Sequence, residues 1–151
     1  MKSHGVVGIS LVLLASLPLF GQQMDAGLRG EWNLNVGKST FGSGPAPKAG
    51  HVSWTEHGWV FAIVTPGGGV YADAVITDNG CTLIGIPSEY SCQLDVLTPR
   101  HLRFTMKQAG TIRRVGDIEL LDKDTTKTTH RVTPKDGELY TETTIWERES
   151  G

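Results

Sequence analysis

Short segments in which apolar and polar residues alternate run through almost the whole of this chain. In the first of them, residues 31–36, a Trp, a Leu and a Val alternate with a Glu and two Asn. Comparable runs follow at 51–56, 70–76, 102–106 and 125–132. Alternation with a period of two is the pattern of a half-buried β-strand. The sequence therefore predicts an all-β fold.

Turn-forming residues separate these runs, at 66–69, 78–80 and 134–137, where Gly, Pro, Asn and Asp cluster. Short strands with turns every ~8–12 residues indicate a barrel or a sandwich. Hairpin-length connections favour an antiparallel up-and-down β-barrel of about 8–10 strands, in which closure leaves no exposed edge. A β-sandwich is the alternative, because its strand pattern is much the same.

Three further details complete this expectation. One helical turn is expected before Gly30. The Gly- and Pro-containing stretch Lys38–Gly50 predicts a long loop that folds over one mouth of the barrel. In the last strand, alternation groups Leu139, Thr141, Thr143 and Ile145 on one face.

The first 21 residues have the pattern of a secretory signal peptide. Lys2 precedes an apolar stretch at 6–17, which is shorter than the ~20 residues of a membrane span. Cleavage after Gly21 leaves residues 22–151 as one β-barrel domain. We expect this domain to be a secreted or periplasmic monomer, with no stable membrane insertion after cleavage.

The charge balance argues against a nucleic-acid partner. The chain has 14 Lys and Arg against 16 Asp and Glu, and removal of Lys2 leaves 13 against 16, a net charge of −3. The most basic group is expected to form a solvated face of two strands, and consists of Arg103, Lys107, Arg113 and Arg114.

Two cysteines, Cys81 and Cys92, predict one disulfide in an oxidising compartment. Ten residues separate them, so the bridge would join the two arms of a hairpin. Closing so short a loop stabilises by roughly 2–3 kcal/mol in the chain-entropy model. Free thiols are the alternative, whereas a redox pair usually has the tighter Cys-x-x-Cys spacing.

The tripeptide Gly30-Glu31-Trp32 resembles the Gly-x-Trp signature of lipocalins and the wider calycin group. The resemblance implies that Trp32 lies across the closed end of a barrel and meets an Arg from late in the chain, for which Arg148 is the candidate. An Arg guanidinium stacked on an indole contributes about 0.5–2 kcal/mol. The resemblance gives Gly30, Trp32 and Arg148 structural roles.

The longer run 30–41, together with residues 44–48 and 132–141, is similar to small exported proteins of acidobacteria that have no established activity. This second resemblance strengthens the expected fold and leaves the function open. The segment between the two cysteines departs from that group.

A small barrel is either filled by its own side chains or holds one small ligand. Aromatic and flexible side chains on the predicted strands suit either use. The pocket candidates are Trp54, Trp59, Phe61, Tyr71, Phe104 and Met106. Our first hypothesis is an exported lipocalin-like module that binds a small apolar molecule without catalysis, and it predicts no catalytic residue, no metal site and no cofactor.

Two alternatives stay open. A calycin-like enzyme, or a metal or haem binder, would need an inward-facing His close to an Asp or Glu. Alternation points His51 and His101 outward, which counts against this use of them. A structural or interaction protein of the cell envelope would instead have a packed core, with the loop 38–50 as its contact surface and an exposed apolar patch around Phe41.

Overall fold

The computed structural model describes residues 23–77 and 80–150, and the predicted signal peptide lies outside these ranges. A short 3₁₀ helix, Ala26–Leu28, precedes ten strands, in agreement with the helical turn expected before Gly30. The strands are β1 Gly30–Thr40, β2 Ala49–Thr55, β3 Gly58–Thr65, β4 Gly68–Thr77, β5 Gly80–Ile84, β6 Tyr90–Thr98, β7 His101–Gln108, β8 Thr111–Asp122, β9 Thr125–Val132 and β10 Tyr140–Arg148. None of the helical structure in these ranges has the length and apolar character that a transmembrane helix requires.

Each strand pairs antiparallel with the next one in the chain, and β1 also pairs with β10, which closes the barrel. The closing ladder places Leu34 opposite Trp146 and Asn33 opposite Glu147. This closure confirms the predicted up-and-down barrel and excludes the two-sheet sandwich. It also satisfies the backbone groups that an open sheet would leave along its edges.

One end of the barrel, at which β1 begins and β10 ends, is covered by the 3₁₀ helix; we call it the closed end and the opposite one the far end. Leu28 and Trp32 are almost fully buried there, with 0% and 1% of their surface exposed. The Trp32 indole Nε1–H donates a hydrogen bond of 2.9 Å to the carbonyl oxygen of Leu28. The helix is thereby held over the closed end by the side chain that it buries.

Arg148 lies over the ring of Trp32, with its guanidinium carbon 4.2 Å from the ring centroid. Gly30 has a φ of +117°, and a Cβ atom at this position would lie 2.7 Å from Nη1 of Arg148. A residue with a side chain would therefore be strained at position 30 and would collide with the guanidinium.

The predicted disulfide between Cys81 and Cys92 is confirmed, and it joins the neighbouring strands β5 and β6 with a Cα–Cα distance of 5.3 Å. Both cysteines pack against the interior cluster of the barrel. A disulfide indicates an oxidising, extracytoplasmic environment.

Two local expectations were wrong. β1 continues to Thr40, so the loop before β2 covers only residues 41–48. In β10 the buried face consists of Glu142, Thr144 and Trp146, not of the face that contains Ile145. Trp146 lies opposite Leu34 in the closing ladder, and burial of this large indole carries the two polar residues of the same face into the interior.

Candidate functional site

The half of the interior nearest the closed end is a packed aromatic core. Trp54 and Trp59 stack with their ring centroids 4.7 Å apart, and Trp59 meets the edge of Phe104 at 5.5 Å. All three residues are less than 10% exposed. These three pocket candidates therefore form the floor of the interior, with no space left between their rings for a ligand.

The other half of the interior contains inward-facing apolar side chains that are not fully covered. Phe61 and Met106 face inward and pack against the core cluster, as do their neighbours Ile63 and Leu94. All four side chains nevertheless remain partly exposed. Solvent therefore reaches the apolar wall of the far half, and this wall contains two of the predicted pocket residues.

The remaining pocket candidate, Tyr71, lies on the outer face of β4 and is 61% exposed. Its strand neighbours Ala72 and Ala74 are the inward residues, with 0% and 2% exposure. Because successive side chains of a strand point to opposite faces, burial of the two alanines places the tyrosine outside. Tyr71 consequently cannot line an interior pocket.

A polar group completes the far half of the interior. Glu142 on β10 lies directly opposite His130 on β9, and both residues point inward. Arg114 on β8 donates a hydrogen bond from Nη1 to Oε1 of Glu142, and the two side chains form an ion pair. Interior charges are expected to be paired in this way, because an isolated charge inside a protein is strongly unfavourable.

The interior histidine, His130, lacks such a partner. Its Nδ1 atom is buried and has no hydrogen-bond partner among the described residues. Gly116 lies opposite it on β8, and a Cβ atom there would come within 2.6 Å of Nδ1. Burial, together with the charge of Arg114, lowers the pKa of His130 to about 3, so the ring is neutral at physiological pH.

Sequence reasoning missed this polar group. The sequence analysis placed Arg114, as part of the most basic group, on a solvated face, and it placed the opposite face of the last strand inside. The sequence did contain a signal for this group. Arg114 is an even number of residues from the buried Gly116 and Leu120, as Glu142 is from Trp146, so alternation puts each side chain on the inward face. A polar residue in a strand is assigned to solvent by default, and only the partner across the barrel corrects that assignment.

The other predicted orientations agree with the structure. His101 lies on the outer face, with Nε2 3.2 Å from Oδ1 of Asp117, which also accepts from Arg103. His51 is also on the outer face, beside Glu31. Neither histidine reaches the interior.

The interior thus offers an apolar wall and floor, one internally neutralised ion pair and one uncharged imidazole. Such a set of groups can enclose a small apolar molecule and hydrogen-bond to one polar atom of it. It contains no hydroxyl or thiol nucleophile paired with a base among the residues named above.

No protein-family model, no curated protein and no solved structure matches this chain.

Proposed function

We propose that this protein is an exported binding module that takes a small, mainly apolar molecule into the far half of its barrel, without catalysing a reaction. The observation that carries the proposal is the exposure of inward-facing apolar side chains in the far half of the barrel. Trp54, Trp59 and Phe104 are buried against one another, whereas Phe61 and Met106 remain partly exposed. An interior apolar surface that water reaches from one side is suited to a ligand.

The unpartnered imidazole of His130 supports the same proposal. Buried polar atoms are nearly always hydrogen-bonded, and the exceptions often have a functional explanation. Arg114 also uses one guanidinium nitrogen for Glu142, while the group has five N–H donors in all. A ligand with one polar atom near these residues would find donors that the protein itself leaves unused.

Kinship with the lipocalins is part of this proposal. The position of Arg148 over Trp32 at the closed end supports it, because the resemblance implies this contact. The strand number differs, since lipocalins have eight strands and this barrel has ten. We further propose that the protein acts as a monomer, secreted or in the periplasm.

A catalytic function is less well supported. His130 and Glu142 are an inward-facing histidine and carboxylate on adjacent strands, as such a function would need. A general base works best when its pKa lies near the working pH, however, and that of His130 is about 3. Glu142 is engaged by Arg114. The pair is therefore better suited to hydrogen bonding than to proton abstraction.

An interaction function is the second candidate, and a specific observation favours it. Apolar side chains are exposed on the outer face of β3, β4 and β5, where Val64, Tyr71, Val75 and Ile84 are each at least 40% exposed. Phe41, around which such a patch was expected, is only partly exposed and lies outside these strands. The contact surface of an interaction protein would thus lie on these strands.

The neutral apolar dye N-phenyl-1-naphthylamine, whose fluorescence rises in apolar surroundings, tests both candidates. We expect saturable one-site binding to the purified protein. The substitution Met106→Gln keeps the side-chain volume and adds a polar amide to the proposed wall, so it should weaken dye binding about fivefold or more.

Tyr71→Ser is the matched control, because it removes an aromatic ring from the outer face of the same barrel. It should leave dye binding unchanged. Absence of saturable binding, or equal affinity in Met106→Gln and wild type, would contradict the interior site. Loss of binding in Tyr71→Ser alone would favour the outer patch and the interaction function.

A further inference from the structure

Three potential metal ligands meet on the outer face, away from the proposed pocket. Glu31 on β1, His51 on β2 and Glu149, just after β10, each offer one donor atom, and these atoms all lie within 4.8 Å of one another. The backbone N–H of Glu149 donates to the carbonyl oxygen of Glu31 over 2.9 Å. This bond extends the ladder that closes the barrel, so closure itself brings the second carboxylate to the first.

The ring of His51 is held in a defined orientation. Its Nδ1 lies 2.9 Å from Oδ1 of Asn33, and its Nε2 lies 2.6 Å from Oε2 of Glu31. Both ring nitrogens thus face oxygen acceptors, although a neutral imidazole has only one N–H. When Nδ1–H donates to Asn33, the lone pair of Nε2 points toward Glu31, and both groups could then coordinate one bound metal ion.

The neighbouring polar groups match those of a metal-binding histidine. Such histidines usually donate their second ring N–H to an oxygen, which fixes the ring, and ligating carboxylates are themselves hydrogen-bonded. Asn33 provides the first of these partners. Ser53 provides the second, since its hydroxyl donates to Oε1 of Glu31 over 2.7 Å.

The local charge also favours a cation. In the described ranges no Lys or Arg lies within ion-pair distance of Glu31 or Glu149, whereas the adjacent Glu147 is paired with Lys38. A divalent cation bound here would balance the charge of the two carboxylates.

We propose that Glu31, His51 and Glu149 bind a first-row divalent transition-metal ion such as Zn²⁺. Zinc accepts imidazole nitrogen and carboxylate oxygen together, whereas Mg²⁺ and Ca²⁺ prefer oxygen alone. Three protein ligands leave the fourth tetrahedral position for water. The site lies on the outer surface and is independent of the proposed ligand pocket.

Isothermal titration calorimetry of the untagged protein with ZnCl₂ at pH 7.5 tests this proposal. We expect a saturable 1:1 isotherm and no comparable binding of Mg²⁺. His51→Ala and Glu149→Gln should each weaken Zn²⁺ binding about tenfold or more, because each removes a ligand. Asn33→Ala removes only the partner that orients the ring, and should weaken binding by about 10–100-fold.

His57→Ala is the matched control. His57 is an exposed histidine beside a single carboxylate, Glu56, at 3.3 Å. Among the described residues it does not belong to a group of three potential metal ligands. This variant should bind Zn²⁺ like the wild type. Absence of saturable binding, or equal affinity in His51→Ala and wild type, would overturn the proposal. Neither result bears on dye binding in the interior, so the two proposals fail separately.

Discussion

The guanidinium of Arg148 stacks over the ring of Trp32 at 4.2 Å and joins the last strand of the barrel to the first. Its nitrogens also donate to three backbone carbonyl oxygens, those of Gly27, Arg29 and Lys123. One side chain therefore links the 3₁₀ helix, the start of β1, the turn before β9 and the end of β10. The planar fork of an arginine is suited to such divergent contacts, and a lysine is not.

Arg148→Ala should lower the free energy of unfolding by about 2–4 kcal/mol, because it removes the cation–π contact and leaves backbone carbonyls without a donor. Arg148→Lys should recover only a minor part of this loss. Urea unfolding followed by tryptophan fluorescence gives the comparison. Arg131→Ala, at an exposed position of β9, should change stability by no more than about 0.5 kcal/mol. Equal losses in Arg148→Ala and Arg131→Ala would show that the stacked arrangement contributes little.

Gly30→Ala should destabilise the barrel by about 1–3 kcal/mol, since the residue has a φ of +117° and its new Cβ would lie 2.7 Å from Nη1 of Arg148. Part of this effect is a collision with the guanidinium, so it should be smaller when Arg148 is already alanine. A double-mutant cycle measured by urea unfolding isolates this part. Strict additivity of the two substitutions would mean that the backbone conformation alone accounts for the loss.

His130 should make the barrel less stable as the pH falls below about 6.5. Its pKa is lowered from 6.5 to about 3 in the folded protein, so between these values the unfolded chain binds a proton that the folded chain does not. Stability from this residue is complete above pH 6.5 and decreases by about 1.4 kcal/mol per pH unit below it. Between pH 7.5 and 5.5 the expected loss is about 1–1.5 kcal/mol.

The measurement is the urea midpoint at both pH values for wild type and His130→Gln, which has no proton to gain in this range. The difference between the two proteins should shrink at the lower pH. His57→Gln, at a side chain that is 83% exposed, should keep the pH dependence of the wild type. An unchanged pH dependence in His130→Gln would show that the ring is already accessible to protons in the folded state.

Reduction of the Cys81–Cys92 disulfide should destabilise the protein by roughly 2–3 kcal/mol in the chain-entropy model, because a short loop is released in the unfolded chain. The effect should be concentrated in β5, which is the shortest strand and pairs with β6 in register at the cysteines. Hydrogen exchange with and without dithiothreitol measures both effects. The double variant Cys81→Ala, Cys92→Ala is the control, and dithiothreitol should not change its exchange.

Much of the fold was predictable because a strand half-buried in a barrel imposes a period of two on its own sequence. The runs around Trp32, Trp54 and Phe104 predicted both the strands and the residues that lie inside. The turn chemistry predicted hairpin connections between sequential strands. The disulfide followed from the spacing of two cysteines across one hairpin.

The sites were less predictable, because local patterns assign polar side chains to solvent. Arg114, His130 and Glu142 come from three different strands, and each is acceptable inside only because of its neighbours across the sheet. Tyr71 is the opposite case, an aromatic side chain that alternation places outside. In both cases the hydrophobicity of a side chain was a poorer guide to its orientation than its position in the alternation, counted from a buried tryptophan or alanine of the same strand.

The amino-acid sequence by itself determined that this chain forms sequential antiparallel strands, with a large indole at the start of the first. These properties depend on interactions between residues close along the chain. Only the tertiary structure decided that the sheet closes through β1 and β10, more than 100 residues apart, as in the contact between Asn35 and Glu147. Closure brings Arg148 onto Trp32 and Glu149 beside Glu31. It joins two segments that are far apart in the sequence, and no pattern of neighbouring residues indicates that they pair.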